Sequence, residues 1–454
     1  MSLASTAPGL LSQTTGYQRA ARVFGESGTV DAYLHFEAAL AEVQGSLGII
    51  PSGAVDHIVA ACRPENLNLD ALRHSAATVG YPIVPLVQML ADLAGENGQW
   101  VHFGTTTQDV MDTAQVLQLR EALRTALTDA RRVEQLLAAL CHRHRDTPIA
   151  GRSKLQHGVP ISFGYKIAVW LDQLARTRAG LGRALDEASV LQFGGAVGTL
   201  ASLWPDGMKV RRRLAIRLSL SEPDISWHTS RDRMAALASA VASYMAALGK
   251  MAGDVAHQMS TEVGELSEPA AAGRGSSSTM PQKRNPVICE AIIEAARSVQ
   301  HVPGMLLGAM LQEHERGIGN GYRERAALCD AVQQLSGAIS LAEELLRGLE
   351  VNESRMAANL NLTNGLIYSE AMMIHLAERI GRVEAHRILH EVARQVTETG
   401  AELQTAFSQV AGTPLPVKAL CFDSQVEAAQ GMIELVLKTV AFDHADSGSE
   451  PTNQ

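Results

Sequence analysis

The longest regular feature of the chain is a run of apolar positions at helical spacing. Val116, Leu117, Leu119, Leu123, Leu127, Val133, Leu136, Leu137 and Leu140 recur at that spacing between Gln108 and Thr147. That stretch of about 40 residues holds no Gly or Pro, so a single helix of roughly 60 Å is predicted. A helix of that length needs partners along all of it. Similar segments follow at Ser162–Val190, Arg231–Thr261, Pro286–Val302 and Arg323–Leu349, and together they predict a bundle of long, roughly antiparallel helices. Gly249, Gly253 and Gly337 weaken these as isolated helices but permit close backbone approach. Coiled-coil rods are the competing reading, and they lack support because sustained heptads with charged flanks are absent.

Three polar stretches interrupt the pattern, each beside a long helix: Gly104–Thr107, Gly151–Pro160 and Glu262–Pro286. Loops set in a rigid helical frame tend to carry function. Before Gly104 and after about Val351 the segments read as shorter helices. The expected division is therefore an N-terminal helical domain over 1–105, a central long-helix domain over 106–350 and a small helical C-terminal domain over 351–454. From Ala441 on the chain is polar and turn-rich, and a frayed tail is expected.

Composition narrows the class. The chain is 46% hydrophobic but only 4% aromatic, so the core is built of small and aliphatic side chains, which suits helix packing better than a β-sandwich. A net charge of −9 with dispersed Lys and Arg argues against nucleic acid as a partner. Cys62, Cys141, Cys289, Cys329 and Cys421 are odd in number and widely separated, which fits a reduced cytoplasmic protein. No leader pattern and no uninterrupted apolar run of membrane-spanning length is read, so a soluble protein is expected with no membrane partner. Cys141, His142 and His144 have no second cluster at ligand spacing, and no metal or cofactor is expected. Gly194–Gly198, read GGAVG, lacks the preceding strand of a dinucleotide fold.

The third interruption carries the strongest chemistry. Its core, AAAGRGSSSTMPQKRNP, combines glycines, three consecutive hydroxyls and the donors Lys283, Arg284 and Asn285 at the mouth of a new helix. A flexible Ser/Gly linker is the plain alternative. The string resembles the signature of the fumarase/aspartase superfamily, in which the serine three residues before the Met is the general base; here that serine is Ser277 and the Met is Met280. HFGTTTQDVMDTA resembles the first of that family's shared regions, and GRSKLQHGVP the second. The resemblance spans about Phe24 to Val410. It implies an all-α, three-domain fold and a homotetramer whose sites each draw loops from three subunits, with Thr106, Thr107 and Gln108 contacting substrate carboxylate.

The chemistry asks for these residue types. Proton removal beside a carboxylate builds a doubly charged aci-carboxylate, so donors such as Lys283, Asn285 and the two threonines must meet the developing charge. A serine becomes a usable base only in a dry, cationic pocket.

By overall similarity the chain resembles the 3-carboxy-cis,cis-muconate cycloisomerase branch, through FEAALAEVQGSLGIIP, PIVPLV, LQFGGAVGTLASL, WHTSRDR and QEHERG. Four positions depart from it. NGYRER replaces a Trp-His-Ala-Glu-Trp motif, keeping only Glu324. Lys154 stands where fumarate-releasing members carry His and the cycloisomerases Trp. Glu290 matches a carboxylate of fumarases and adenylosuccinate lyases, and Arg325, nine residues after Arg316, resembles the paired arginines of the latter. GYPIVP, however, lacks the His that adenylosuccinate lyases place before the first region. On these departures a C–N lyase releasing fumarate from a succinate or aspartate derivative, of nitrosuccinate-lyase type, is expected, with the cycloisomerase as the alternative.

Lys154, paired with Glu290, or else His157 is the expected leaving-group acid; a surface lysine and a structural histidine are the plain alternatives. Ser276 and Ser278 flank the base and serve the loop or the substrate. Arg316 and Arg325 are expected to hold a second carboxylate or a nitro group bidentately, unless they are solvated helix charges. His228 and Arg231–Arg233 read equally as pocket residues or as a helix N-terminal ion cluster. A non-catalytic structural protein on the same fold remains the alternative from another class.

Overall fold

In a computed structural model of the chain, residues 9–319, 321–413 and 422–446 are described. The long helices form where the apolar periodicity puts them, at Thr107–Arg143, Phe163–Ala188, Asp232–Gln258, Val287–Val299 and Gly321–Arg347. The protein is all-α apart from a few short strands. Helix ends follow local chemistry. Ser162 Oγ accepts the Tyr165 N–H to open one helix, and the carboxylate of Asp109 accepts the Thr106 N–H to open another, half of a capping box.

Contacts divide the chain into two compact units that interleave in sequence. One comprises Met1–Ala130, Thr177–Leu248 and Glu294–Leu341; the other comprises Arg131–Arg176, Gly249–Ile293 and Ala342–Gln454. The first has a core of fully buried aliphatic side chains, among them Val110, Leu123, Leu237, Val241, Leu328 and Leu335. The second buries Trp170, Met251, Val255, Ile288 and Leu345 as completely. It also holds a satellite cluster around Met372, Val392, Ala406 and Phe407 in its C-terminal helices.

The breaks are structured. Pro148–Ser153 pairs antiparallel with Gln156–Ser162, with a bulge between Ala150 and Arg152 and a two-residue turn at Lys154 and Leu155. Leu266–Ser267 pairs with Glu350–Val351.

Two expectations need correction. Glu26–Ser46 is a 21-residue helix, longer than the short segments expected before Gly104. It buries Val30, Tyr33, Phe36, Leu40, Ala41 and Val43 around most of its circumference, so no single apolar stripe marks its length. The segment from Ala441 to Asp446 continues the Phe422–Asp446 helix instead of fraying; the rest of the expected tail lies outside the described residues. Its deeply buried positions Val426, Ile433 and Val440 fall seven apart, too narrow a stripe to stand out among polar neighbours. Among the described residues, Asp232–Gln258 is the one helix long and apolar enough by composition to cross a membrane, and most of that stretch is buried within the protein. The four described cysteines are free, and Cys421 lies outside the described residues.

Candidate functional site

The first unit gathers Thr107, Gln108, Arg316 and Arg325 around a cavity of about 230 Å³, with Thr106 bonded to Arg316 beside it. Arg316 donates from Nη1 to Thr106 Oγ1 at 2.8 Å, from Nη2 to Thr107 Oγ1 at 3.4 Å and from Nε to Gln108 Oε1 at 3.3 Å. All three acceptors are neutral. Arg316 has no carboxylate partner among the described residues, so its half-buried guanidinium faces the cavity with its charge uncompensated. A preformed cation of this kind recognises a planar anion such as a carboxylate.

Behind that cation lie Asp109 and Asp112, to which sequence analysis assigned no role, and Glu324, the one residue kept from the replaced motif. Asp109, fully buried, accepts from Gln192 Nε2, the Gly194 and Gly195 N–H groups, Thr105 Oγ1, the Thr106 N–H and His228 Nε2. It ties the threonine segment to the GGAVG loop and to His228, which is itself buried. Asp112, one helical turn on, takes Arg325 Nη2 at 2.6 Å, Arg231 Nη1 and Nη2 at 3.0 and 3.2 Å, and Gln108 Nε2 at 3.1 Å. Glu324 takes Arg231 at 2.7 Å. Arg325 thus lines the cavity with one nitrogen committed to Asp112. The available signal was two acids three apart on one helix face, with the apolar Val110, Met111 and Ala114 around the rest of the circumference; acids in a helix turn with no solvent side call for buried partners.

The second unit carries Ser277, Lys283, Asn285, Lys154, His157 and Glu290. The signature loop is folded on itself. Asn285 donates from its backbone N–H and from Nδ2 to Gly275 O, and Ser276 bridges to Arg284. Gly275 is obligatory here: its φ is +65°, and a Cβ would lie 2.5 Å from Asn285 O. Arg284 fastens the loop's exit to Glu350 and to Glu268 O. The buried Glu268 carboxylate accepts the Ile288 and Cys289 N–H groups at the start of the next helix.

Within this frame Ser277 Oγ accepts two backbone N–H groups, from Thr279 at 3.3 Å and Met280 at 3.1 Å. Two donors aimed at one hydroxyl oxygen stabilise its alkoxide more than its neutral form, a physical route to a serine base. Ser278, Met280 and Lys283 are exposed on the same loop, and Glu290 is exposed in the first turn of the helix that follows.

Lys154 stands at the tip of the hairpin. Its φ is 52° and that of Leu155 is 66°, the left-handed pair that a two-residue hairpin turn demands and that neither residue type favours. Both side chains are exposed, and no ion pair joins Lys154 to Glu290 among the described residues. The hairpin is anchored by Arg152, bidentate to the buried Glu265 at 2.7 and 2.9 Å, with Asn359 Nδ2 on the same carboxylate. His157 pairs across the strands with Arg152. Burial pushes its imidazole below the ordinary value and the Arg152 charge adds to that, with Glu265 opposing, so His157 is neutral near pH 7.

A protein-family profile described as Lyase matches residues 5–301. The 3-carboxy-cis,cis-muconate cycloisomerase of Pseudomonas aeruginosa is 41% identical over 435 residues, covering 94% of this chain and 95% of that one. The N-acetyl-S-(2-succino)cysteine lyase of Enterococcus italicus is 33% identical, covering 86% of each. The crystal structure of the 3-carboxy-cis,cis-muconate lactonizing enzyme from Pseudomonas putida superposes with a TM-score of 0.88 at 37% identity, covering 93% of this chain and 97% of that one. The chain belongs to this lyase family, within the fumarase/aspartase superfamily, and is an enzyme of that superfamily. Within it, the chain sits with the 3-carboxy-cis,cis-muconate cycloisomerase-like branch.

Proposed function

We propose that the enzyme acts on a small polycarboxylate by the cycloisomerase reaction: a carboxylate oxygen of the substrate adds across a conjugated double bond and closes a lactone, as the name of the P. aeruginosa relative implies. Addition at the β carbon places the electron pair on the neighbouring carboxylate as an aci-carboxylate, and a proton then joins the α carbon. Ser277 exchanges that proton, giving it up in the lactone-forming direction and removing it in reverse. The Thr279 and Met280 N–H groups hold the oxyanion when the proton is away. Lys283 and Asn285, with Met280 and Ser278 beside them, meet the aci-carboxylate, while Thr106, Thr107, Gln108 and Arg316 hold a second carboxylate. The observation that carries this reading is Arg316, a preformed cation with only neutral partners.

Fumarate-releasing cleavage of a succinate or aspartate derivative, ranked first on sequence, becomes the second reading because the relatives favour the cycloisomerase. It keeps one specific support: Gly321, Tyr322 and Arg325, from the segment that departs from the cycloisomerase pattern, line the cavity itself. In that reading Lys154, assisted by Glu290, protonates the leaving group, and the neutral His157 is the weaker candidate. Both readings use the three-domain division at about 105 and 350, and a homotetramer in which three copies contribute the threonine, hairpin and serine loops to each site.

The test is turnover of 3-carboxy-cis,cis-muconate, N-acetyl-S-(2-succino)cysteine and nitrosuccinate, followed by loss of the muconate band or gain of the fumarate band. Rapid loss of carboxymuconate without fumarate is expected; fumarate from either other compound as the faster reaction overturns the assignment. Ser277→Ala should lower turnover by about 10³-fold or more while unfolding stability stays within about 0.5 kcal/mol. Turnover near the native rate in that variant removes Ser277 from the chemistry.

A further inference from the structure

The cavity that holds Arg316 is lined by more charge than it presents. Asp112, fully buried in its wall, is bound by Arg325 at 2.6 Å and by both terminal nitrogens of Arg231, and Glu324 takes Arg231 from its own side. Two carboxylates and two guanidiniums cancel. Burial pushes the Asp112 carboxyl up, but Arg231 and Arg325 more than offset this and hold it below the usual carboxylate range. Tyr33, Tyr322 and Cys329 also face Arg325, and burial pushes all three up, so they are neutral at pH 7. Arg325 Nε is buried with no hydrogen-bond partner among the described residues. Arg325 is thus placed to bind an anion but is already neutralised, and Arg316 supplies the cavity's uncompensated charge.

We propose that Asp112 is a specificity-determining residue: by neutralising Arg325 it limits this side of the substrate to a single carboxylate, held by Arg316, and disfavours substrates carrying a second one there. The proposal rests on Arg316 being the carboxylate anchor. Asp112 touches no reacting atom. Removing its charge exposes a full cation in a half-buried cavity, where one unit charge changes the affinity for an added carboxylate by about tenfold or more.

The experiment compares glutarate with tricarballylate, the same five-carbon diacid bearing one more carboxylate, by titration calorimetry against the full chain. Asp112→Asn should shift the affinity ratio toward tricarballylate by about tenfold or more, Arg325→Gln should shift it toward glutarate, and the double variant should return it near the wild-type value. A merely structural role instead weakens both ligands alike and leaves the double variant worse than either single one. Ratios that do not move in the single variants overturn the proposal. If Asp112→Asn does not fold, Arg325→Gln alone decides, since Asp112 keeps its bonds to Arg231. Arg316→Gln separates the two readings. Loss of both ligands there, with unmoved ratios elsewhere, fails this proposal alone; unchanged binding there, or no binding by wild type, fails the carboxylate anchor and this proposal with it.

Discussion

Thr106 and Ser277 are both hydroxyl side chains on loops that precede helices, yet they are held in different ways. Thr106 is backed by Asp109, whose six hydrogen bonds come from three separate segments of the first unit, and its own oxygen is taken by Arg316. Ser277 is half-buried on a loop braced from within through Gly275, Ser276 and Asn285, and tied at its exit by Arg284 to Glu350 and Glu268 O. A group that must recognise an anion benefits from being fixed before the ligand arrives, because the cost of ordering it is met on folding. A group that must exchange a proton and then release product benefits from a loop that can leave, with only its oxyanion donors carried along.

The sharpest way to break this comparison is to remove the acid behind Thr106. Asp109→Ala strands buried donors on Gln192, Gly194, Gly195 and His228, and should cost roughly 4 kcal/mol in denaturant unfolding. Ser277→Ala, by contrast, should be nearly neutral in the same measurement. A loss below about 1 kcal/mol for Asp109→Ala would mean that the threonine segment is no better fixed than the signature loop.

A smaller effect should come from the loop just before the threonines. His102, at φ 59°, places Nδ1 2.6 Å from Glu37, and Gln44 Nε2 donates to Phe103 O. Burial pushes the His102 imidazole down, but Glu37, by charge and hydrogen bond, and Asp109 raise it overall. A histidine raised above its unfolded value of about 6.5 contributes stability that is complete below that pH and is lost as pH rises through the higher folded value. Unfolding temperatures of wild type and His102→Gln should therefore differ most near about pH 6 and converge toward about pH 9. A gap that widens with pH sinks the pairing.

What was legible in the sequence divides along the same line. Long helices and the signature loop could be read because apolar spacing and the GSSSTMPQKRNP string are local patterns. Thr107–Arg143 begins one residue before the expected Gln108 start and ends four before the expected Thr147. The partners that fix Thr106 could not be read, because Asp109, Gln192 and His228 meet only through the fold, and an acid on a helix looks solvated until its distant donors are known. The hairpin at Gly151–Pro160 was visible as a break but not as paired strands, since Lys-Leu carries none of the turn chemistry that marks a two-residue hairpin.

That turn gives the smallest expected effect and bears on the acid. Lys154 and Leu155 both occupy the left-handed region, which costs a residue with a long side chain roughly 1 kcal/mol relative to Asn or Gly. Strain of this kind persists where something else requires the side chain, and the exposed ammonium at the tip is the group available to reach a substrate. Lys154→Asn should therefore raise unfolding stability by up to about 1 kcal/mol and, on the second reading, lower turnover as well. The two readouts separate the roles. Greater stability with unchanged turnover leaves Lys154 a turn residue and removes the acid from the second reading, whereas a loss of stability shows that the turn was not strained. A fall in turnover that is steep for a poor leaving group and slight for nitrite marks the ammonium as a proton donor, since only a group bonded to the departing atom in the transition state follows that atom's basicity.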